Sequence, residues 1–221
     1  MMILIIISDK YICGNIIILI SGMESKLLKE SRVLAERFLE FVNFAVSPFH
    51  VVHWCKTQLL AKGFTELVET ESWKLEAPGK YFFTRNNSTI VAFDIGNKFN
   101  INKSGFKIIG AHTDSPCLRL APNSKHTSAD FQQTCVSTYG GGLWHTWFDR
   151  DLILAGKLVV KSGDTYKTKL WRSQNALFKI PNLAIHLTTD RKSFEPNTET
   201  HLRPIFSSEI YRKLLNPDVK D

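Results

Sequence analysis

The chain has 221 residues, 43% of them hydrophobic, including 15 Phe, 5 Trp and 5 Tyr, which is enough apolar material for one or two globular domains and too much for a disordered tail. Its formal net charge is +7, yet the basic residues are dispersed and nowhere form a run of five, which argues against a nucleic-acid-binding stripe. Cys13, Cys55, Cys117 and Cys135 show no Cys-x-x-Cys spacing, which excludes the zinc-finger and thioredoxin patterns and fits buried free thiols in a reducing, cytoplasmic setting.

Residues 1–22 hold two apolar runs, Ile3–Ile7 and Ile16–Ile20, divided by Asp9, Lys10 and Asn15. Neither run approaches the ~20 apolar residues that span a bilayer. The order of charge and apolar residues is also not that of a signal peptide. Residues 1–22 read as an extension outside the fold, with a membrane or targeting role as the lesser alternative; the sequons at Asn86, Asn87 and Asn102 matter only under that alternative.

From residue 23 the pattern becomes orderly. Leu27, Leu28, Leu34, Phe38, Phe41 and Val42 recur at helical spacing and predict an amphipathic helix ending at Ser47-Pro48. Ser47 with Pro48 at the first helical position starts a second helix, which Gly63 closes. His50 and His53 lie three apart on that helix and read as packing or surface residues rather than metal ligands, because no carboxylate accompanies them.

"YFFTRNNSTIVAFDIG" predicts two strands about an Asn-Asn-Ser turn, and "FKIIGA" predicts a short strand buried in a sheet. Helices followed by such strands suggest an α/β layer. Past Leu118 the segments "TCVSTY", "LWHTWF", "KLVVK" and "NLAIHL" are aromatic and β-branched with turns between them, so a mostly β region follows a boundary near residue 118. Trp144, Trp147 and Phe148 belong to a core or an interface, and Asp149, Arg150 and Asp151 predict an ion network. The Gly140-Gly141-Gly142 run serves either a ligand or a flexible loop.

"GAHTDSPCLRL" places His112 and Asp114 one residue apart, just past the carboxyl end of the strand predicted at "FKIIGA". That is where α/β sheets bind ligands. A metal-bound imidazole needs an acceptor on its second nitrogen, which Asp114 could provide. A turn capped by His112 fits the short motif as well.

The longer stretches "IIGAHTDSPCLRL", "TYGGGLWHTWFDRDLILAG", "NLAIHL" and "PNTETHLRPI", with upstream "VSPFHVV" and "KYFFTRNNSTIVAF", together resemble the aspartyl aminopeptidases, a family of zinc exopeptidases. The resemblance runs from about Arg32 to Ile205. It implies an α/β catalytic domain, begun by residues 23–118, with a mostly β dimerisation domain inserted into it at residues 119–221. It implies that His112 corresponds to the first zinc ligand and Asp114 to the acidic residue steering it, and that His186 reaches the active site of a neighbouring subunit. Read alone, His186 between Ile185 and Leu187 is an ordinary strand histidine.

The implied activity is removal of N-terminal Asp or Glu from peptides by a homo-oligomer whose site holds two zinc ions. The bridging Asp, the Glu-Glu pair, a further Asp and the final His of the family all lie beyond Asp221. Only His112 of the ligand set is present, so the chain is expected to be an N-terminal portion, incomplete at its C-terminus and inactive by itself. The other reading is a non-catalytic interaction module acting through the dimerisation strands, without nucleic acid or membrane as partner.

Overall fold

A computed structural model describes residues 26–188 and 191–215; the predicted extension at residues 1–22, with Cys13, lies outside them. Helices α1 (Lys26–Phe44) and α2 (Pro48–Ala61) precede β1 (Thr65–Glu66), β2 (Gly79–Arg85) and β3 (Thr89–Ile95). Then come β4 (Cys117–Ser128), β5 (Phe131–Tyr139), a 3-10 turn at Trp144–Trp147, β6 (Asp151–Leu152), β7 (Ala155–Ser162) and β8 (Thr165–Arg172). The described chain closes with β9 (Phe178–Lys179), a 3-10 turn at Ile185–Leu187, β10 (Ile205–Ser208) and α3 (Glu209–Leu215). The architecture is mixed α/β. Its described residues fall into two compact units, residues 26–115 with 156–171 and residues 116–155 with 172–215.

In the first unit, α2 starts because Ser47 takes an extended backbone (φ −154°) and its hydroxyl accepts the His50 N–H, with Pro48 supplying a first helical position that needs no donor. Gly63 ends the turn at φ +76°, a conformation that costs glycine little. The amphipathic α1 forms as its spacing predicts, but none of its residues is buried. Its aromatic end meets α2, where Phe44 and Trp54 ring centroids lie 5.4 Å apart.

Strands β2 and β3 pair antiparallel from Gly79↔Ile95 to Arg85↔Thr89. Asn86 and Asn87, at φ +54° and +56°, begin the three-residue loop 86–88 that closes the hairpin, with the Ser88 N–H donating to the Arg85 carbonyl; asparagine tolerates that left-handed backbone better than most residues. Short β1 adds in parallel to β2. The buried apolar residues of this unit are Ala45, Val46, Val51, Val52, Tyr81 and Phe82. The β7–β8 hairpin joins it through Lys157, whose ammonium sits 4.7 Å from the Phe49 ring centroid and donates to the Asn86 carbonyl at 3.4 Å.

The second unit is built on a five-stranded sheet ordered β4-β5-β10-β9-β6. β4 and β5 form a long hairpin turned at Ala129-Asp130, with a register shift between Leu120 and Lys125. Leu118, Leu152, Ile180 and Leu202 make its core, and Trp144, Trp147 and Phe148 pack against them, as the aromatic run predicts. Gly142 serves packing: a Cβ there would stand 3.0 Å from the Trp144 ring.

Several expectations fail. "FKIIGA" forms no strand, and Phe106, Ile108 and Ile109 are 83%, 88% and 98% exposed; strand propensity cannot act without a neighbouring strand to take the backbone N–H and C=O groups. "LWHTWF" and "NLAIHL" form 3-10 turns, not strands. In the first, the Thr146 N–H and hydroxyl both donate to the Leu143 carbonyl. In the second, the Asn182 side chain accepts the Leu183 N–H and the Thr188 hydroxyl donates to the Ala184 carbonyl. Such local bonds compete with a sheet ladder.

The predicted ion network at residues 149–151 is also absent among the described residues. Asp149 instead accepts the Asn182 N–H at 3.0 Å, tying two loops of the second unit. Of the described thiols only Cys117 is buried; Cys55 and Cys135 are half-buried.

Candidate metal centre

His112 lies in the segment that leaves the exposed 106–111 run and leads to β4. Two local bonds fix it. The Thr113 hydroxyl donates to the Ser88 carbonyl at 2.8 Å, anchoring the segment beside the β2–β3 turn. His112 Nδ1 lies 2.6 Å from the backbone carbonyl of Asp114 and 3.4 Å from its Oδ1.

A carbonyl only accepts, so Nδ1 is the donor in this contact, and in the neutral ring Nε2 is the nitrogen that holds the lone pair. That is the tautomer a metal-ligating imidazole needs, with its second nitrogen held by an acceptor. The structure brings His112 and Asp114 together, and the nearer acceptor is the main chain of Asp114, with its carboxylate farther out. The His112 side chain is 75% exposed, so nothing in the unit screens Nε2 from an incoming ligand.

The remaining sequence candidates are placed elsewhere. His186 sits in the Ile185–Leu187 turn of the second unit, exposed rather than seated in a strand. His50 is buried with Nδ1 2.7 Å from the Ser47 hydroxyl, and His53 stacks on Phe44 at 5.9 Å; both serve helix packing. Among the described residues no three His, Cys, Asp or Glu side chains converge as metal ligands. A catalytic zinc ion takes about three protein ligands. His112 thus has one ring nitrogen held by an acceptor and the other open for one zinc bond, but the described residues do not form a zinc site.

Sequence reading missed a cavity of about 750 Å³ in the second unit, lined by Leu120, His126, Gln132, Phe178, Phe206 and Glu209. The Arg203 guanidinium, which only donates, lies 3.0 Å from His126 Nε2. Glu209 accepts from Gln132 and from Arg212. The Arg203–His126 and Gln132–Glu209 partners are each 77 residues apart, so no local pattern could have signalled them.

The aminopeptidase I zinc metalloprotease family (M18) matches residues 41–220. The chain belongs to the M18 family. Among its M18 relatives, an aspartyl aminopeptidase of Caenorhabditis elegans is 50% identical over 179 residues, covering 81% of this chain and 38% of the relative. One of Dictyostelium discoideum is 45% identical over 80% of this chain and 37% of the relative.

Among solved M18 structures, a chain in a cryo-EM structure of an Ape4 and Nbr1 complex superposes with a TM-score of 0.83 at 39% identity, covering 90% of this chain and 38% of that one. A chain of the Saccharomyces cerevisiae mApe1 dodecamer superposes at 0.65 with 30% identity, over 70% of this chain and 36% of that one. The chain therefore spans less than two-fifths of the length of these M18 proteins. No described helix is long and apolar enough to cross a membrane.

Proposed function

We propose that this chain supplies the first metal-ligand segment and the dimerisation strands of a zinc-dependent aspartyl aminopeptidase, which removes N-terminal Asp or Glu from peptides and works as a cytoplasmic homo-oligomer. The observation that carries the reading is His112, held through Nδ1 by the Asp114 carbonyl so that Nε2 is the nitrogen left to face a ligand, in a chain whose relatives at 45% and 50% identity are named aspartyl aminopeptidases. In this reading His112 donates one bond to zinc, and Asp114 fixes the ring and its tautomer. The dimerisation region is residues 119–221, and His186 donates to the oxyanion at a neighbouring subunit's site.

One imidazole cannot hold a pair of zinc ions, so the chain by itself is inactive in this proposal. A chimera provides the test: residues 26–215 replace the matched stretch of the C. elegans relative. The chimera retains zinc after dialysis and cleaves aspartyl and glutamyl peptides. His112→Ala removes zinc and activity together. His186→Ala lowers kcat by about 10²–10³, the cost of one oxyanion donor, with KM changed far less. Mixing the two variants restores part of the activity if His186 acts in trans; no recovery after verified subunit exchange rejects that role. A chimera that folds but cleaves neither peptide sinks the enzymatic reading.

The alternative, a non-catalytic interaction module, draws on the exposure of the β7–β8 hairpin, where Val159, Tyr166 and Trp171 face solvent. It predicts homotypic association of the unmodified chain by light scattering, lost on Tyr166→Ser with Trp171→Ser.

A further inference from the structure

The His112 ring can meet the main-chain carbonyl two residues later only if the chain bends between them, and the bend falls at Thr113. Eight consecutive exposed residues, 105–112, lead to this point, and Thr113 is the first to be half-buried. So exposed a run has no packing to hold a bend, and an unheld residue keeps its conformational freedom. What holds Thr113 is a distant group: its hydroxyl donates to the Ser88 carbonyl at 2.8 Å, 25 residues back in the chain.

A second observation shows that the receiving loop is itself fixed. The β2–β3 ladder ends at Arg85↔Thr89, so the Asn86 and Ser88 carbonyls lie outside it and are open to other parts of the unit. Asn86 receives the Lys157 ammonium at 3.4 Å, and the same ammonium sits 4.7 Å from the Phe49 ring centroid of α2. Ser88 receives Thr113. One loop of three residues is therefore braced from the β7–β8 hairpin and from α2, and in turn braces the segment that carries His112. All of these residues belong to the first compact unit.

We propose that Thr113 is a positioning residue: bound to the Ser88 carbonyl, it fixes the bend that keeps the Asp114 carbonyl on the His112 ring, so that the β2–β3 loop sets the direction in which Nε2 is presented. The inference rests on the reading of His112 as a metal ligand and adds what aims it. Thr113 acts through the main chain. The Ser88 carbonyl needs a donor at that place, which serine supplies and valine, of nearly the same shape, does not. Removing a support one step behind a metal ligand typically costs about 10–100-fold in affinity or activity.

Nitrogen relaxation of the backbone amides, on the metal-free unmodified chain, tests the brace apart from activity. Residues 112–114 give order parameters near the about 0.85 of rigid backbone, and Thr113→Val lowers them below about 0.6 while β2 and β3 stay rigid. Thr113→Ser keeps residues 112–114 ordered. In the chimera with the C. elegans relative, Thr113→Val lowers kcat by about 10–100-fold with KM changed far less, and Thr113→Ser restores it.

Order at 112–114 that Thr113→Val leaves unchanged overturns the proposal, as does order already below about 0.6 in the unmodified chain. A chimera that turns over equally well with threonine or valine at 113 also overturns it. If order falls as expected but the chimera with its native Thr113 cleaves no aspartyl peptide, the enzymatic reading fails and the brace stands. Should Thr113→Val lose the fold, Thr113→Ala takes its place: loss of order at 112–114 supports the proposal, and retained order overturns it.

Discussion

Strand β2 and the 106–109 run read alike in sequence, both short, apolar and aromatic, and the fold treats them oppositely. Phe82 of β2 has no exposed surface while Ile109 is 98% exposed. The difference is the neighbour. β2 meets β3 four residues after its own end, across a turn whose two asparagines accept left-handed backbone, so its ladder closes at little entropic cost. The 106–109 run has no such local partner. Strand propensity therefore describes a capacity, which becomes structure only where the chain delivers a second strand.

Burial contrast gives the largest expected effect. Phe82→Ala should destabilise the unmodified chain by about 3–5 kcal/mol, the usual cost of emptying a fully buried aromatic site, measured by urea denaturation followed through tryptophan fluorescence. A loss below about 1 kcal/mol would mean that the first unit has no cooperative core and would erase the comparison. Leu202→Ala, at a fully buried position of the second unit's core, should cost about 2–5 kcal/mol.

Next comes the α2 cap. Ser47→Ala removes the acceptor for the His50 N–H and the hydroxyl beside His50 Nδ1, and should cost about 1 kcal/mol. Ser47→Asp should recover most of that loss, showing that capping and not hydroxyl packing is at stake.

A smaller effect follows from pH. Burial pushes the Cys117 thiol above the usual range, with Arg119 beside it offsetting only part of the shift. The half-buried Cys55 shifts the same way, again chiefly through burial. Because the folded state holds these protons more tightly, the stability they contribute is intact below a free thiol's value of about 8.5 and is lost as pH rises through the folded value. The denaturation midpoint should fall more steeply above pH ~9 in the unmodified chain than in Cys117→Val. Parallel pH profiles would refute the assignment.

The smallest effect is the other half of the comparison: Ile109→Ala should change the stability of the unmodified chain by less than about 0.5 kcal/mol, as exposed substitutions do. A larger loss would show that 106–109 is paired in solution.

Sequence was sufficient where the deciding interactions are local. Ser47-Pro48 and Gly63 bound α2, Asn86-Asn87 turned the β2–β3 hairpin, and the His112/Asp114 spacing delivered the imidazole to an acceptor two residues away. It failed where local side chains diverted the backbone, as Thr146 and Asn182 do in the two 3-10 turns, and at Asp149, whose partner is a backbone amide 33 residues away. His186 carries no local mark of function, and only the family resemblance singled it out.

By itself, then, the sequence determined the caps, the turns, the apolar periodicities and the tautomer-setting motif, because each depends on groups within a few residues of one another. Tertiary structure alone decided that β7–β8 is held to the first unit by Lys157 on Phe49, that Arg203 meets His126, and that Phe106–Ile109 stays exposed. Those outcomes depend on groups that meet only after distant stretches of chain have been brought together, or on neighbours that the described chain does not bring.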